Sequence, residues 1–188
     1  MRKKYAKLFR ICLVLGIFHI FASLAYGESS KPAVLYMLPY EQTQALSALK
    51  EALQHAKSEI KISIYNFTHS DIAKVLRDSA ARGVKISIIY DKESNEHNKK
   101  STIGYLAKYN NISVCLLSGI RAKKGGYYGI MHQKMAIIDK QILILGSANW
   151  TKNAFENSFE TLLVTYDSAL IDKALQAYEK MANTCARF

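Results

Sequence analysis

Residues 131–150 read MHQKMAIIDKQILILGSANW and bring a histidine, a lysine, an aspartate and a Gly-Ser-x-Asn turn into an otherwise apolar stretch. If residues 132–139 form a strand, alternate side chains share a face, so His132 and Lys134 project from the same side. Residues 142–145 are a short apolar run typical of a strand buried on both faces, and the turn follows at its end. Open α/β sheets hold ligands at strand ends, so this stretch predicts a buried sheet with a polar site at its edge.

The sequence around this stretch alternates between strand and helix patterns. Strand-like runs occur at residues 60–67, 84–90, 112–117 and 160–165, and amphipathic helical runs at residues 41–56, 68–82 and 168–182. The second helix opens with a T-x-x-D signature at Thr68 and is followed by the stop residue Gly83. This alternation predicts an α/β fold in which helices cover the sheet.

The polar groups of the 131–150 stretch suit attack on a phosphodiester. A neutral imidazole such as that of His132 is a competent nucleophile. The ammonium of Lys134 and the donors of Ser147 and Asn149 suit an anionic, oxygen-rich electrophile. The set therefore predicts phosphoryl transfer through a phosphohistidine. No H-x-x-x-H or C-x-x-C spacing is present, so we expect no metal and no cofactor, and activity in EDTA.

The spacing of the motif adds a family resemblance. The stretch fits H-x-K-x(4)-D-x(6)-G-S-x-N without a gap, with its fixed positions at His132, Lys134, Asp139, Gly146, Ser147 and Asn149. In this motif the chain resembles the phospholipase D superfamily, and in particular its small bacterial Nuc/NucT-type endonucleases. The similarity in the order of elements extends over residues 46–165. It implies a mixed β-sheet flanked by helices, a phospholipase D-like α-β-α sandwich with a single motif copy per chain.

The resemblance also implies roles for the site residues. His132 attacks phosphorus, Lys134 and Asn149 bind the non-bridging oxygens, and Ser147 assists. Glu160, in the sequence NSFE, matches the downstream acid that holds the nucleophilic histidine in its tautomer.

Two further positions of the family pattern stand apart from these roles. Asp139 belongs to the catalytic signature, but the resemblance implies that it supports the site without touching substrate; a purely structural role in a hairpin turn is the alternative. Thr161 stands where the small nucleases often carry Asn, which is a departure from the pattern.

A single motif copy predicts a homodimer. The reaction needs a second group that protonates the leaving oxygen and later activates water. In the family, small members pair two subunits across a two-fold axis. We therefore expect one shared site with two copies each of His132, Lys134 and Asn149. Two coupled imidazoles would give a bell-shaped pH–rate profile.

The N-terminal residues have the layout of a signal peptide. Five basic residues precede an apolar run over residues 11–26. We expect residues 1–27 to be a signal peptide or, alternatively, a membrane anchor through residues 11–27, and residues 28–188 to be the nuclease domain. Either route places the domain outside the cytoplasm, in a periplasm or secreted. In such a compartment Cys115 and Cys185 either form a disulfide or remain as small buried side chains.

Charge and one loop favour nucleic acid as the partner. Residues 1–27 hold five of the 26 basic residues and no acid, so the net charge of +11 falls to +6 without them. A basic surface favours polyanions. The segment SGIRAKKGGYYG, residues 118–129, combines cations with aromatic rings, as in single-strand binders. Its predicted substrate-binding residues are Arg121, Lys123, Lys124, Tyr127 and Tyr128; an ordinary surface loop is the alternative.

The sequence thus predicts a metal-independent endonuclease that cleaves nucleic acid, preferentially single-stranded DNA. One alternative is a phospholipase D acting on phospholipid headgroups, although the chain after residue 27 lacks a long apolar stretch to hold acyl chains. Another is a surface DNA-binding protein without turnover.

Overall fold

The computed structural model describes residues 33–188, so the signal peptide or anchor expected for residues 1–27 lies outside the described residues. The strands are β1 Val34–Leu38, β2 Glu59–Ile64, β3 Lys85–Asp91, β4 Ile112–Leu117, β5 Lys134–Ile138, β6 Ile142–Gly146, β7 Glu160–Thr165 and β8 Ala186–Arg187. The helices are α1 Gln42–Gln54, α2 Ser70–Ala81, α3 Lys92–Asn95, α4 Ile103–Leu106, α5 Lys152–Glu156 and α6 Ser168–Ala182. Between residues 33 and 188, no helix has the length and apolar character needed to cross a membrane.

The eight strands form one mixed sheet in the order β1-β7-β6-β5-β2-β3-β4-β8. β2, β3 and β4 are parallel neighbours, whereas the other neighbouring pairs are antiparallel. Helices lie on both faces, and the predicted α/β fold with a mixed sheet between helices is confirmed.

Both faces of the central strands are buried. On one face α1 and α2 cover a large apolar cluster in which Ile62, Ala136 and Ile144 are cross-strand neighbours. On the other face α6 covers a smaller cluster through Ile171 and Tyr178. Because alternate residues of β5 enter the two clusters, all five of its residues are buried.

Helix α2 begins later than the T-x-x-D signature predicts. His69, not Thr68, precedes its first turn, and His69 makes no side-chain capping hydrogen bond. The N–H groups of Thr68 and His69 donate to the carbonyl oxygen of Trp150 at 3.0 and 2.9 Å, so this segment is fixed by the chain that follows β6. At the other end Gly83 has a φ of +99°, as expected for a glycine that stops a helix.

A disulfide between Cys115 and Cys185 joins β4 to the segment after α6. Beside it, β8 pairs with β4 at the edge of the sheet. This bond decides between the two alternatives left open for these cysteines.

We expect removal of this disulfide to lower the free energy of unfolding by about 4 kcal/mol, because the bond closes a long loop in the unfolded chain. The two cysteines are 70 residues apart. Urea unfolding of the oxidised protein, with and without reductant, measures the loss. The Cys115→Ser/Cys185→Ser variant is the control, because its stability should match the reduced protein and should not respond to reductant.

Candidate active site

The sheet brings four chain segments to one end. β5 runs antiparallel to β2 and β6, and β6 runs antiparallel to β7. Four strand ends therefore lie together: the start of β5, the ends of β2 and β6, and the start of β7. His132, Asn149 and Glu160 are on or next to these strand ends, so the topology gathers residues that are 28 positions apart in the sequence.

His132 and Lys134 are in direct contact at the start of β5. The Nζ atom of Lys134 lies 2.9 Å from Nε2 of His132 and also donates to the carbonyl oxygen of His132 at 2.9 Å. An ammonium only donates, so this contact places the lone pair of a neutral imidazole on Nε2 and its proton on Nδ1. The His132 side chain is exposed, whereas Lys134 is only 7 % exposed. The arrangement places an exposed imidazole in contact with a buried cation.

Tyr65 contacts both members of this pair. Its ring meets the ring of His132 edge to face, with centroids 4.6 Å apart, and Nζ of Lys134 lies 5.1 Å from the centroid of the Tyr65 ring. The backbone of Tyr65 is held on both sides: its N–H donates to the carbonyl oxygen of Gln133 at 2.8 Å, and its carbonyl accepts from Nδ2 of Asn95 at 2.7 Å. Tyr65 therefore fixes the imidazole and shares in stabilising the ammonium.

The charge of Lys134 is set by burial and by two carboxylates. Burial lowers the pKa of Lys134, and the negative charges of Glu160 and Asp91 act in the opposite direction. Asp91 is fully buried at the end of β3. Its carboxylate accepts the N–H of Met131 at 2.9 Å and that of Ser94 at 2.9 Å. Asp91 thus fixes the backbone one residue before His132 and also supports the ammonium.

Two buried amide oxygens at this end of the sheet have no partner. Within residues 33–188, Oδ1 of Asn149 and Oδ1 of Asn66 are buried without a hydrogen bond. The two residues belong to adjacent segments, because Trp150 donates its N–H to the carbonyl oxygen of Asn66 at 3.0 Å. Unpaired buried polar groups are rare in folded proteins. Asn66 and Asn149 therefore share an uncommon feature at this end of the sheet, a buried amide oxygen without a partner.

No sequence motif indicated Tyr65, Asn66 or Asp91 as a site residue. Each follows or ends a strand-like run, IKISI for the first two and KISIIYD for the third. The usable signal was therefore the position of polar and aromatic residues at the carboxyl ends of neighbouring strands.

Ser147 connects the ends of β6 and β7. Its hydroxyl accepts the N–H of Thr161 at 3.0 Å, and its own N–H donates to the carbonyl oxygen of Thr161 at 3.1 Å. A Cβ atom at Gly146 would lie 2.0 Å from that same carbonyl oxygen, so only glycine fits this crossing. Gly146 and Ser147 of the motif thus hold the end of β6 against the start of β7. A contact of Ser147 with substrate stays a prediction.

Glu160 is half-buried at the start of β7. It acts on Lys134 through its charge. Across the described part of the chain, no hydrogen bond links Glu160 to His132. The role of Glu160 in holding the histidine tautomer stays a prediction.

Asp139 lies at the opposite end of β5 from His132, at the turn into β6. The two residues are seven positions apart, which corresponds to roughly 20 Å along an extended chain. The carboxylate of Asp139 accepts the N–H groups of Lys57, Ser58 and Glu59 at 2.7, 2.8 and 3.0 Å, and the hydroxyl of Ser58 at 2.8 Å. This side chain fastens the loop before β2 to the turn between β5 and β6, which favours the structural alternative for Asp139. A supporting role of Asp139 in the reaction stays a prediction.

We expect Asp139→Asn to lower the free energy of unfolding by about 2 kcal/mol, because four donors lose a charged acceptor. Burial raises the pKa of Asp139, but the hydrogen bonds from residues 57–59 outweigh it, and the pKa lies below its ordinary value. This part of the stability is present above the unfolded pKa of ~3.9 and is lost as pH falls through the folded pKa. Unfolding measured from pH 2 to pH 7 should thus be less acid-sensitive in the variant; cleavage by the folded variant should remain within about tenfold of wild type.

The predicted substrate-binding loop forms a hairpin beside His132. Gly119 donates its N–H to the carbonyl oxygen of Gly129 at 2.7 Å, and Ala122 donates to Tyr127 at 2.8 Å. Arg121 and Tyr128 face each other across this hairpin.

The hairpin borders a groove next to His132. The groove encloses about 720 Å³ and is lined by Arg121 and Tyr128 among others. Lys123, Lys124 and Tyr127 lie on the exposed outer part of the hairpin and do not line the groove. The structure therefore separates the five predicted loop residues into two that line this groove and three that do not.

Candidate metal ligands are not clustered in the described residues. Between Ala33 and Phe188, no group of three His, Cys, Asp or Glu side chains is arranged to hold a metal ion.

The mixed sheet between helices, with an exposed histidine and a buried lysine at one strand end, is a phospholipase D-type hydrolase fold. The family described as "Cardiolipin synthase, PLD-like domain" matches residues 49–182. The chain belongs to the phospholipase D superfamily and has the fold of its small Nuc-type endonucleases, which confirms the resemblance found in the sequence.

Two curated relatives illustrate the range of the family. A mitochondrial cardiolipin hydrolase of Mus musculus is 31% identical over 144 residues, which is 77% of this chain and 60% of that protein. A phospholipase D of Rickettsia bellii is 31% identical over 128 residues, covering 68% of this chain and 59% of that protein. The match thus spans about three fifths of the length of these relatives.

Two solved structures are similar over nearly their whole length. NucT from Helicobacter pylori has a TM-score of 0.82 and 55% sequence identity, covering 84% of this chain and 99% of that one. Nuc from Salmonella typhimurium has a TM-score of 0.70 and 24% identity, covering 84% and 97%, and it supports the fold alone.

Proposed function

We propose that this protein is an endonuclease that hydrolyses phosphodiester bonds of nucleic acid, preferentially single-stranded DNA, without a metal ion. The observation that carries the proposal is the contact between Nζ of Lys134 and Nε2 of His132, which places an exposed imidazole directly beside a cation. The 55% identity with NucT from Helicobacter pylori, over 99% of that chain, supports nucleic acid as the substrate. Exposed cations of the 119–129 hairpin suit the phosphates of a strand.

The chemistry has two steps. Nε2 of His132 forms a bond to phosphorus while the bond to the 3′ oxygen breaks, and that oxygen leaves as a hydroxyl after receiving a proton. Lys134 and Asn149 stabilise the non-bridging oxygens, whose negative charge increases in the transition state. Water then attacks the phosphohistidine, so the second product carries a 5′-phosphate and the imidazole is regenerated. A second imidazole donates the first proton and accepts one from the water.

We propose that the second imidazole is His132 of another copy, in a homodimer with one shared site. An open apolar face supports this arrangement. Leu35, Leu163 and Leu145 are cross-strand neighbours on β1, β7 and β6, on the sheet face that also carries α6. Leu35 is 54 % exposed, and Phe159, just before Glu160, is 80 % exposed. Apolar surface of this kind marks an interaction site, and a two-fold dimer buries the same patch twice.

We propose that the domain works outside the cytoplasm, in a periplasm or secreted. The Cys115–Cys185 bond supports this location, because disulfides persist in oxidising compartments. The signal-peptide pattern of residues 1–27 supports it as well. Cell fractionation with an antibody to the domain distinguishes a released form from one that is attached to the membrane through residues 11–27.

A phospholipase D activity is the second candidate. It is favoured by the groove beside His132, which has apolar walls from Ile120, Ile130 and Met181. The name of the Mus musculus relative, a cardiolipin hydrolase, points to the same substrate class.

The test is to incubate the purified protein, in EDTA, with labelled single-stranded DNA, duplex DNA and cardiolipin-containing vesicles. We expect cleavage of the single strand first, with 5′-phosphate ends. Turnover of the vesicles without cleavage of DNA would make the phospholipase the correct assignment. DNA retention without any cleavage would identify a binding protein, and dependence on added metal would contradict the metal-free mechanism.

A further inference from the structure

A groove leads away from His132 between the 119–129 hairpin and the last turn of α6. We call it the C-terminal groove, and it encloses about 720 Å³. His132 lies at its lining, Ile120 and Tyr128 belong to the hairpin wall, and Lys180 and Met181 belong to the helix wall. Its volume lies within the range of about 300–1,000 Å³ that is usual for small-ligand sites. The C-terminal groove is therefore large enough for one nucleotide and begins at the nucleophile.

The walls of the C-terminal groove are apolar, and its rim is cationic. Ile120 is 92 % exposed and Tyr128 is 60 % exposed, so both offer uncovered surface to a ligand. Arg121 lies on the hairpin wall, and Lys180 lies on the helix wall. In the described part of the chain, neither cation has a carboxylate within salt-bridge distance. Exposed apolar surface beside unpaired cations indicates a ligand that has an apolar part, such as a flat ring, and a negatively charged part.

We propose that the C-terminal groove binds the nucleotide next to the scissile phosphate. The base of that nucleotide packs on Tyr128 and Met181, and the following phosphate lies between Arg121 and Lys180. The inference deepens the proposed nuclease function and rests on it. It assigns substrate binding to the end of α6, which the sequence motif does not reach.

Charge distinguishes this occupant from an acyl chain. A nucleic acid strand carries a phosphate on both sides of every base, so it can offer one phosphate to His132 and the next to Arg121 and Lys180, which line the same groove. An acyl chain carries no charge that would compensate Arg121 and Lys180. Stacking of a base on an aromatic ring is also independent of base identity, which suits an enzyme whose remaining contacts are with phosphates.

The disulfide holds both walls in place. Cys115 lies two residues before Leu117, which leads into the hairpin wall, and Cys185 follows Thr184 of the helix wall. A covalent bond thus joins the two chain segments from which the walls extend. A groove that is fixed before binding loses less conformational entropy when the nucleotide enters.

The test uses end-labelled oligothymidylate that carries one abasic position, so that the cleavage rate at every linkage is read from one gel. Wild-type protein should cut the linkage on one side of the abasic position about tenfold more slowly than the others, because the stacking contact is absent there. In Tyr128→Ala and in Met181→Ala, cleavage of intact DNA should fall about tenfold. The reduced cleavage rate beside the abasic position, relative to the other linkages, should then disappear.

Lys180→Ala tests the phosphate contact separately. Its slope of log affinity against log salt should be smaller by about 0.7, the value for one phosphate of a single strand. The matched control is Lys173→Ala, which removes an exposed lysine two turns earlier on the same helix and away from the groove. Its cleavage rates and salt slope should be those of wild type.

Several results would overturn the proposal. Uniform cleavage along the abasic oligonucleotide by wild-type protein excludes a base contact next to the cut. If the cleavage rate beside the abasic position is still reduced in Tyr128→Ala, this groove is excluded as the cause of the reduction. Groove variants that lose hydrolysis of cardiolipin vesicles but keep DNA cleavage identify an acyl site instead. If wild-type protein produces no DNA ladder at all, the proposed nuclease function itself is wrong, and the nucleotide site fails with it.

Discussion

Replacing His132 with alanine should reduce DNA cleavage by roughly 10⁴-fold or more, because the variant lacks the atom that bonds to phosphorus. Because His132 is exposed, we expect the variant to fold, and its thermal melting should match that of wild type. Initial rates on single-stranded DNA measure the loss. His97→Ala is the control, because its side chain is 93 % exposed and remote from the catalytic stretch in sequence. Its rates should remain those of wild type.

The same variant tests the shared site. If subunits of wild type and His132→Ala are mixed in equal amounts and re-paired, about a quarter of the dimers contain two histidines. Activity should then fall to about a quarter of that of wild type alone at the same total protein. Half the activity would mean that each subunit works by itself. Acid quenching during turnover should trap a phosphorylated His132 in wild type, and full turnover without any trapped phosphate would argue against the covalent step.

Replacing Lys134 with methionine should reduce cleavage by about 10²- to 10³-fold, because a buried cation no longer stabilises the phosphorane-like transition state. Methionine keeps most of the side-chain volume, so packing against Tyr65 is largely retained. The matched control is Lys140→Met, which changes an exposed lysine in the turn between β5 and β6. A loss in Lys140→Met as large as in Lys134→Met would mean that general surface charge, and not the site cation, accounts for the effect.

The lowered pKa of Lys134 has a measurable consequence. Competitive acylation followed across pH should give a midpoint for Lys134 below the ordinary lysine value of ~10.4, because burial disfavours the ammonium. The ammonium is the form that binds phosphate, so the contribution of Lys134 is lost as pH rises through this midpoint. Asp91→Asn removes a negative charge that favours the ammonium and should move the midpoint to lower pH. An upward movement would contradict the assigned role of Asp91.

Sequence alone predicted the parts of the site that lie within one short segment. Strand alternation put His132 and Lys134 on one side, and the structure brings them into contact. The sequence did not predict the contacts of Tyr65 and Asp91, because these contacts depend on which strands are neighbours in the sheet. Asp91 is 40 residues from its partner Met131 in the chain. Strand order is a long-range property that no local pattern encodes.

The two edge strands of the sheet, β1 and β8, were not predicted from the sequence for the same reason. β1 pairs with β7, which is more than 120 residues away, and no sequence pattern indicated Val34–Leu38 as a strand. β8 has only two residues and is fixed beside β4 by pairing and by the neighbouring disulfide. The contacts of Asp139 are likewise long-range, since three of its four donors come from the loop before β2 and the fourth is the N–H of Glu59 at the start of β2.

The Cys115–Cys185 bond encloses the catalytic strand, the groove hairpin and α6 within one covalent ring. The tip of the hairpin at Gly125 and Gly126 is exposed, so it is a natural place for a protease to cut. A cut there opens the ring but leaves both fragments linked through sulfur. Nicked protein therefore runs as one band on a gel without reductant and as two with it, and the fragment bearing His132 stays attached to the strand before the hairpin.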